Sequence, residues 1–169
     1  MKKLEIEVPD MVKKSISSGA GEGNIIVLVA EDKNVLGWIE LSDKVRPNSS
    51  SSIKSLQRRG IDVVMLTGDR HEVAKAVANS VGINTILSQV KPDEKAEQIR
   101  RLQKEGTVAM IGDGINDAAA LSIADVGIAM GAGSEIALES ADIVLVRNDL
   151  SDAVASLDLG RSTMKKIRS

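Results

Sequence analysis

Two hydrophobic spacings take turns along most of the chain. Short apolar runs at Ile61–Leu66, Ile86–Leu87, Val108–Ile111, Val126–Ala129 and Ile143–Val146 have the length of buried strands. Between them the apolar positions recur every three or four residues: Val73, Ala76, Val77, Ser80 and Val81 fall on one helical face. Ile53–Arg59 reads as a helix stopped by Gly60, and Gly82 and Gly106 close two further helices in the same way. Pro92, Asp93 and Glu94 suit a first helical turn, because proline lacks the N–H that would go unused and carboxylates favour the positive end of the helix dipole. Ile115–Ser122 and Glu135–Ser140 supply the remaining helices. This succession predicts an α/β domain with a doubly wound parallel sheet.

The first part of the chain follows another pattern. Ile25–Ala30 and Val35–Leu41 flank the polar Glu31-Asp32-Lys33-Asn34, which predicts a β-hairpin. Before it, residues 1–23 carry no strong period beyond the short alternation of Leu4–Val8. Ser15–Gly23 reads as a linker, and Gly19, Gly21 and Gly23 receive no chemical role, since an isolated glycine cluster is more often a linker than a phosphate cradle. Asn48–Ser52, after Pro47, is either a hinge or the capped start of a helix. The expected organisation is a leading segment (1–23), a hairpin (24–41), an α/β body (42–160) and a basic tail (161–169).

Composition narrows the function classes. Trp38 is the one aromatic residue, so the core must be built from Val, Ile, Leu, Ala and Met, and Met110 and Met130 are expected to pack rather than bind metal. There is no cysteine, and a single histidine, His71, cannot form a zinc centre alone; at a helix start it is expected on the surface. With a net charge of −2, the surface is not built to grip nucleic acid. The longest pure apolar run, Ile25–Ala30, is far shorter than the ~20 residues of a membrane span. The N-terminus shows no apolar core of an export signal.

In open parallel sheets ligands bind beyond the carboxyl ends of the strands. After Ile61–Leu66 comes Thr67-Gly68-Asp69, a hydroxyl and turn amides able to hold a phosphoryl oxygen. After Val108–Ile111 comes Gly112-Asp113-Gly114-Ile115-Asn116-Asp117, two carboxylates and an amide at the mouth of a helix. Lys95 stands near the start of the helix between them. Each piece alone is common; together they combine oxygen ligands for Mg²⁺ with N–H groups and a cation for a phosphate.

The segment GDGINDAAAL, preceded by Met65-Leu66-Thr67-Gly68-Asp69 and by Pro92-x-x-Lys95, resembles the distal half of the phosphorylation domain of P-type cation-transport ATPases, within the haloacid-dehalogenase-like fold. Asp43-Lys44-Val45-Arg46-Pro47 and Ala124–Gly131 are similar to the heavy-metal branch, on the copper or silver side. The resemblance implies that Thr67 bonds the transferred phosphoryl group, Lys95 neutralises its charge, Asp113 ligates Mg²⁺, and Asn116 and Asp117 complete the site, Asp117 toward the metal shell or Lys95. It also implies ATP as the nucleotide, with Asp43 and Arg46 at the hinge to a nucleotide-binding domain, Gly68 and Asp69 in the turn near the nucleotide, and Gly112 and Gly114 in the phosphate loop. The hairpin would be the end of that nucleotide-binding domain, and Arg161–Arg168 would lead to a membrane helix on the cytoplasmic side.

The departures are specific. The D-K-T-G-T nucleophile motif and the nucleotide-gripping His-Pro motif do not occur in the 169 residues. Asp32-Lys33 follows an apolar run but continues Asn34-Val35-Leu36, and so is not read as the nucleophile. Ala119 stands where the family usually has proline, and Arg70 where it commonly has asparagine. The rival readings are a stand-alone phosphatase of the same fold and a non-catalytic Mg²⁺, phosphate or nucleotide module. The resemblance places the nucleophile strand mid-sheet, so its absence predicts a gap between Ile61–Leu66 and Val108–Ile111. The expected fillers are Leu4–Val8, Ile25–Ala30, a strand of a second copy in a homodimer, or another chain or transporter segment.

Overall fold

The computed structural model describes residues 8–14, 25–32, 34–41, 44–113, 115–131 and 135–168. Among them, two antiparallel strands, β1 (Ile25–Glu31) and β2 (Asn34–Leu41), form the expected hairpin. The α/β body follows as α1 (Ser49–Arg58), β3 (Val64–Leu66), α2 (His71–Val81), β4 (Thr85–Leu87), α3 (Pro92–Leu102), β5 (Ala109–Gly112), α4 (Ala118–Ile123), β6 (Val126–Met130), α5 (Glu135–Ser140), β7 (Ile143–Leu145) and α6 (Leu150–Ile167). Every strand pair of the body is parallel, β3 with β4, and β5 with β6 and β6 with β7. Leu4–Glu7, Gly19, Gly21, Gly23 and Lys33 lie outside the described residues.

Local chemistry sets the boundaries. Gly82 takes the left-handed conformation (φ 85°, ψ 34°) and ends α2 by donating its N–H to the Ala78 carbonyl. Pro92 occupies the first turn of α3, where Glu94 reaches back to the Lys91 N–H (3.2 Å). Asp149 caps α6 by accepting from the Ser151 N–H at 2.8 Å. Asn48–Ser52 proves to be a helix start rather than a hinge.

Several predicted boundaries move, and some of the shifts have a clear cause. Ile61–Leu66 contracts to Val64–Leu66, because the Ile61 N–H is taken by the Leu56 carbonyl (3.2 Å) and β4 offers three residues to pair with. The helix expected at Ile115–Ser122 starts at Ala118, since residues 115–117 form a turn and the Asp117 carbonyl accepts the Leu121 N–H at 2.8 Å. The helix expected to run to Gly106 stops at Leu102, and residues 103–106 close it as a turn.

Both faces of the strands are covered. One face packs Leu66, Met110 and Ala129 with Ile99 of α3 and Ala120 and Leu121 of α4. On the other face, Met65 and Ile86 pack with Ile53 of α1 and Ala78 and Val81 of α2, while Ile111, Ile128 and Leu145 pack with Ala153 of α6. Leu150 belongs to both of these clusters and joins them. Met110 is buried, and Met130 packs on the core around Ile128. The strands nevertheless fall into two ladders, because β3 and β5 are not bonded to each other. Ile25–Ala30 does not fill that break: β1 is paired along its whole length with β2.

The N-terminal end of the sheet is fastened by carboxylates. Asp125 accepts from the Val108 N–H (2.8 Å) and Asp142 from the Gly127 N–H (2.7 Å). α1 and α6 run side by side: Asn48 donates to Asp149 (2.9 Å) at their starts, and further along Arg59 holds Asp158 through two bonds of 3.1 and 2.7 Å. Past Asp158, α6 is exposed.

Candidate functional site

The strand-end loops carry the candidate chemistry. Lys95, one turn into α3, donates to Asp117 Oδ1 at 2.6 Å, and both side chains are largely buried, at 13% and 12% exposure. This pair joins the helix after β4 to the loop after β5, and so brings two of the expected site residues into direct contact. Asp117 owes its seat to Gly112. A Cβ on that glycine would lie 2.4 Å from Asp117 Oδ2 and 2.8 Å from Asp117 Cβ, so the close approach is open to glycine alone.

Asp113 is exposed and accepts from the Ile115 N–H at 3.1 Å in a local turn. Asn116 is exposed on the same turn. Thr67 follows β3; its hydroxyl donates to Asp69 Oδ2 (2.8 Å) and accepts from the Asp69 N–H (3.1 Å). The loop is held against the end of β4 by Gln89 N–H to the Asp69 carbonyl (2.9 Å) and Val90 N–H to the Thr67 carbonyl (3.1 Å). Gly68 packs close to it, 3.4 Å from the Val90 carbonyl for an added Cβ.

Arg46 is directed elsewhere. Its guanidinium donates to the Asn148 carbonyl (2.7 Å) and to the Asn148 side-chain oxygen, at the loop after β7. Asp43 and Gly114 lie outside the described residues. His71 pairs its Nδ1 with Ser88 Oγ at 3.1 Å, beside the Thr67–Asp69 turn. Ser88 and Asn148 are the polar contacts that reasoning from the sequence passed over. Both stand just after a predicted strand, so the strand-end rule that found Thr67 and Asp113 would have found them too.

Asp113 and Asp117 are hard oxygen donors four residues apart, and no group of three or more metal-ligating side chains occurs among the described residues. That donor set fits Mg²⁺, which commonly binds through one or two carboxylates and completes its octahedron with water and phosphate oxygens.

The comparisons bear on the family and the fold. The sequence profile of the haloacid dehalogenase-like hydrolases matches residues 1–125. The chain belongs to that family. Its homologues are heavy-metal P-type ATPases. It is 44% identical over 158 residues to mouse copper-transporting ATPase 1, covering 93% of this chain and 11% of the relative. It is 44% identical over 158 residues to the zinc-transporting ATPase of Bacillus subtilis as well, covering 93% of this chain and 25% of the relative. Among solved structures, a zinc-transporting PIB-type ATPase in the E2.Pi state superposes with a TM-score of 0.82 at 36% identity, over 96% of this chain and 27% of that one. The chain therefore spans between a tenth and about a quarter of the length of these relatives. Equal identity to a copper and a zinc transporter ties the match to the heavy-metal branch and not to one metal. Domains of this class use Mg²⁺ and nucleotide in general. Among the described residues, no helix is long and apolar enough to cross a membrane.

Proposed function

We propose that this chain is the phosphate- and Mg²⁺-handling portion of the catalytic unit of a heavy-metal P-type ATPase, acting within a longer pump at the cytoplasmic face of a membrane. The observation that carries the reading is the buried Lys95–Asp117 pair of 2.6 Å, with Asp113 on the same loop. A cation and carboxylates held together at strand ends suit a ligand that is itself both metal and anion.

In this reading Asp113 and Asp117 hold Mg²⁺, Lys95 meets the phosphoryl oxygens, and Thr67 turns its hydroxyl from Asp69 to the phosphoryl group. Asn116 adds an amide donor at the exposed rim. Bound Mg²⁺ supplies charge neutralisation for the phosphoryl oxygens. The chain's own part is to seat the anion at preset N–H and ammonium donors. ATP is the nucleotide, with Gly68 and Asp69 at its phosphate end, and the rest of the transporter is the physical context. Arg46 serves as a clasp on the loop after β7, in place of a direct nucleotide contact.

The missing D-K-T-G-T motif favours one qualification of role: these 169 residues by themselves bind without forming a phosphoenzyme. Calorimetry with Mg²⁺ and a fluoride-based phosphoryl mimic tests the site. Binding is expected, with at least a tenfold loss in Asp113→Ala, and equal affinity in the two proteins refutes the assignment.

A further inference from the structure

The last helix outruns the sheet it packs on. Leu150 and Ala153 of α6 sit on the core around Ile128 and Leu145, and the helix then runs back past Val126 and Ile143, the first residues of β6 and β7. A groove of about 860 Å³ opens there between α6 and the strand starts. Its apolar wall is made by Val126, Ile143, Leu157 and Met164, and Met164 is 46% exposed. This is the amino end of the strands, whereas Asp113 and Asp117 follow the carboxyl end of β5, so the groove is separate from the proposed Mg²⁺ site.

Charge and shape both describe what the groove takes. Arg161, Lys165 and Arg168 line it at spacings of four and three residues, which sets them in one row along α6 over about 10 Å. No carboxylate lines the groove, and none of the three cations pairs with an acid among the described residues. Such a row is matched by acids at the same spacing on another helix, and is longer than a single anionic headgroup. Gly160 stands in the same wall. It does not take a positive φ, and nothing lies within 4 Å of its added Cβ, so neither a turn nor a contact inside the chain accounts for a residue that weakens a helix relative to alanine. The close approach of a partner helix does account for it, because packed helices lie about 8–10 Å apart and the shorter spacings need a contact residue without a side chain.

We infer that this groove is a docking site for an amphipathic helix of another polypeptide. The partner helix lays a stripe of Leu and Ala over Gly160 and Met164, and carries Glu or Asp beside that stripe at spacings of four and three residues, opposite Arg161, Lys165 and Arg168. A second copy of α6 does not meet this description. A twofold contact sets the same patch on both sides, so cations would oppose cations, and the α6 acids Asp152 and Asp158 are already held by Arg147 and Arg59.

The test uses neither metal nor phosphate, so its outcome is separate from that of the Mg²⁺ reading. The probe is a fluorescein-labelled helical peptide with Leu and Ala on one face, three Glu beside them at spacings of four and three, and Gln and Ser elsewhere; its twin has Gln in place of each Glu. Fluorescence anisotropy with the full chain is expected to show saturable binding of the Glu peptide and at least tenfold weaker binding of the twin. Gly160→Leu fills the recess, and the double variant Arg161→Gln with Lys165→Gln removes charge at the rim; each is expected to lose at least tenfold in affinity. Leucine suits a helix better than glycine, so Gly160→Leu should keep at least the wild-type Tm. No binding by the Glu peptide, equal binding by its twin, or unchanged affinity in either variant overturns the inference. Saturable binding to phosphatidylglycerol vesicles with none to the peptide overturns it in favour of a membrane surface. A dimer in light scattering that the peptide does not dissociate overturns it in favour of a second copy.

Discussion

Gly112→Ala isolates the geometry of the proposed site with the smallest possible change. The added Cβ would lie 2.4 Å from Asp117 Oδ2, 2.8 Å from its Cβ and 2.9 Å from its Cγ. Ordinary contacts begin near 3.5 Å, so the Asp117 side chain must retreat by about 1 Å. Gly112 is itself buried and the Lys95–Asp117 pair is largely so, which leaves little room for the retreat. A bond of 2.6 Å is thereby pushed toward the ~3.2 Å limit of a good hydrogen bond. Overpacking of this kind costs about 1–3 kcal/mol, which at this chain length lowers Tm by several degrees, with roughly 2–4 °C lost per kcal/mol. The backbone at Gly112 does not take a positive φ, so the cost is one of space alone. Gly106→Ala is the control, because nothing lies within 4 Å of its added Cβ. Thermal unfolding and calorimetry with Mg²⁺ and the phosphoryl mimic are the assays. Gly112→Ala should lose both stability and at least tenfold in affinity. A variant matching Gly106→Ala in both measurements refutes the claim that Gly112 seats Asp117.

Lys95→Met leaves the Asp117 carboxylate without its cation and is expected to destabilise by roughly 1–3 kcal/mol in urea unfolding, less than a fully buried pair because both groups keep some exposure; an unchanged midpoint would contradict the pairing. Gly127→Ala would bring a Cβ within 2.5 Å of the Leu121 carbonyl oxygen, so it should cost about 1–3 kcal/mol while Mg²⁺ affinity of the folded protein stays near wild type, as calorimetry can show. The Ser151 N–H, and then the Asn48 amide, hold the Asp149 carboxyl below its usual value; this contribution is complete above the ordinary pKa of about 3.9 and is lost as pH falls through the lower folded value. Urea midpoints measured from pH 5 to pH 2 should therefore slope less in Asp149→Asn, and identical slopes would rule the contribution out. Incubation with labelled ATP followed by acid precipitation should leave the chain unlabelled, and a hydroxylamine-sensitive label would show that an aspartate other than the expected nucleophile accepts the phosphoryl group.

The parts of this fold legible in the sequence were those written in local chemistry. Alternation of β runs with helical stripes, Pro92 at a helix start and Gly82 at a helix end each state a local preference that the tertiary structure keeps. The strand-end rule led to Thr67, Asp113 and Asp117, the helix start between them to Lys95, and the structure brings Lys95 and Asp117 into contact. What remained hidden depends on partners distant in the chain. The shortness of β3 is imposed by β4, and the start of α4 by the turn that Asp113 organises. Arg46 carries no local sign that its partner is Asn148, 102 residues away. The expected functions of Thr67 and Asn116 rest on the family resemblance, since among the described contacts neither side chain meets Lys95, Asp113 or Asp117, and Thr67 meets Asp69 of its own turn.

The bonds from Arg46 to Asn148 and from Asn48 to Asp149 place the entry of the α/β body beside the start of its last helix, α6. In mechanical terms this is a closed ring with two handles, the hairpin on one side and the exposed end of α6 on the other. Tension applied through the handles is shared by the clasp and by the Arg59–Asp158 bridge further along α1 and α6. The parallel ladders that position Lys95 and Asp117 lie inside the ring and are shielded while these contacts hold. A pull transmitted through the tail would thus reach the hairpin directly, and the strand-end loops could keep their geometry while the two handles swing.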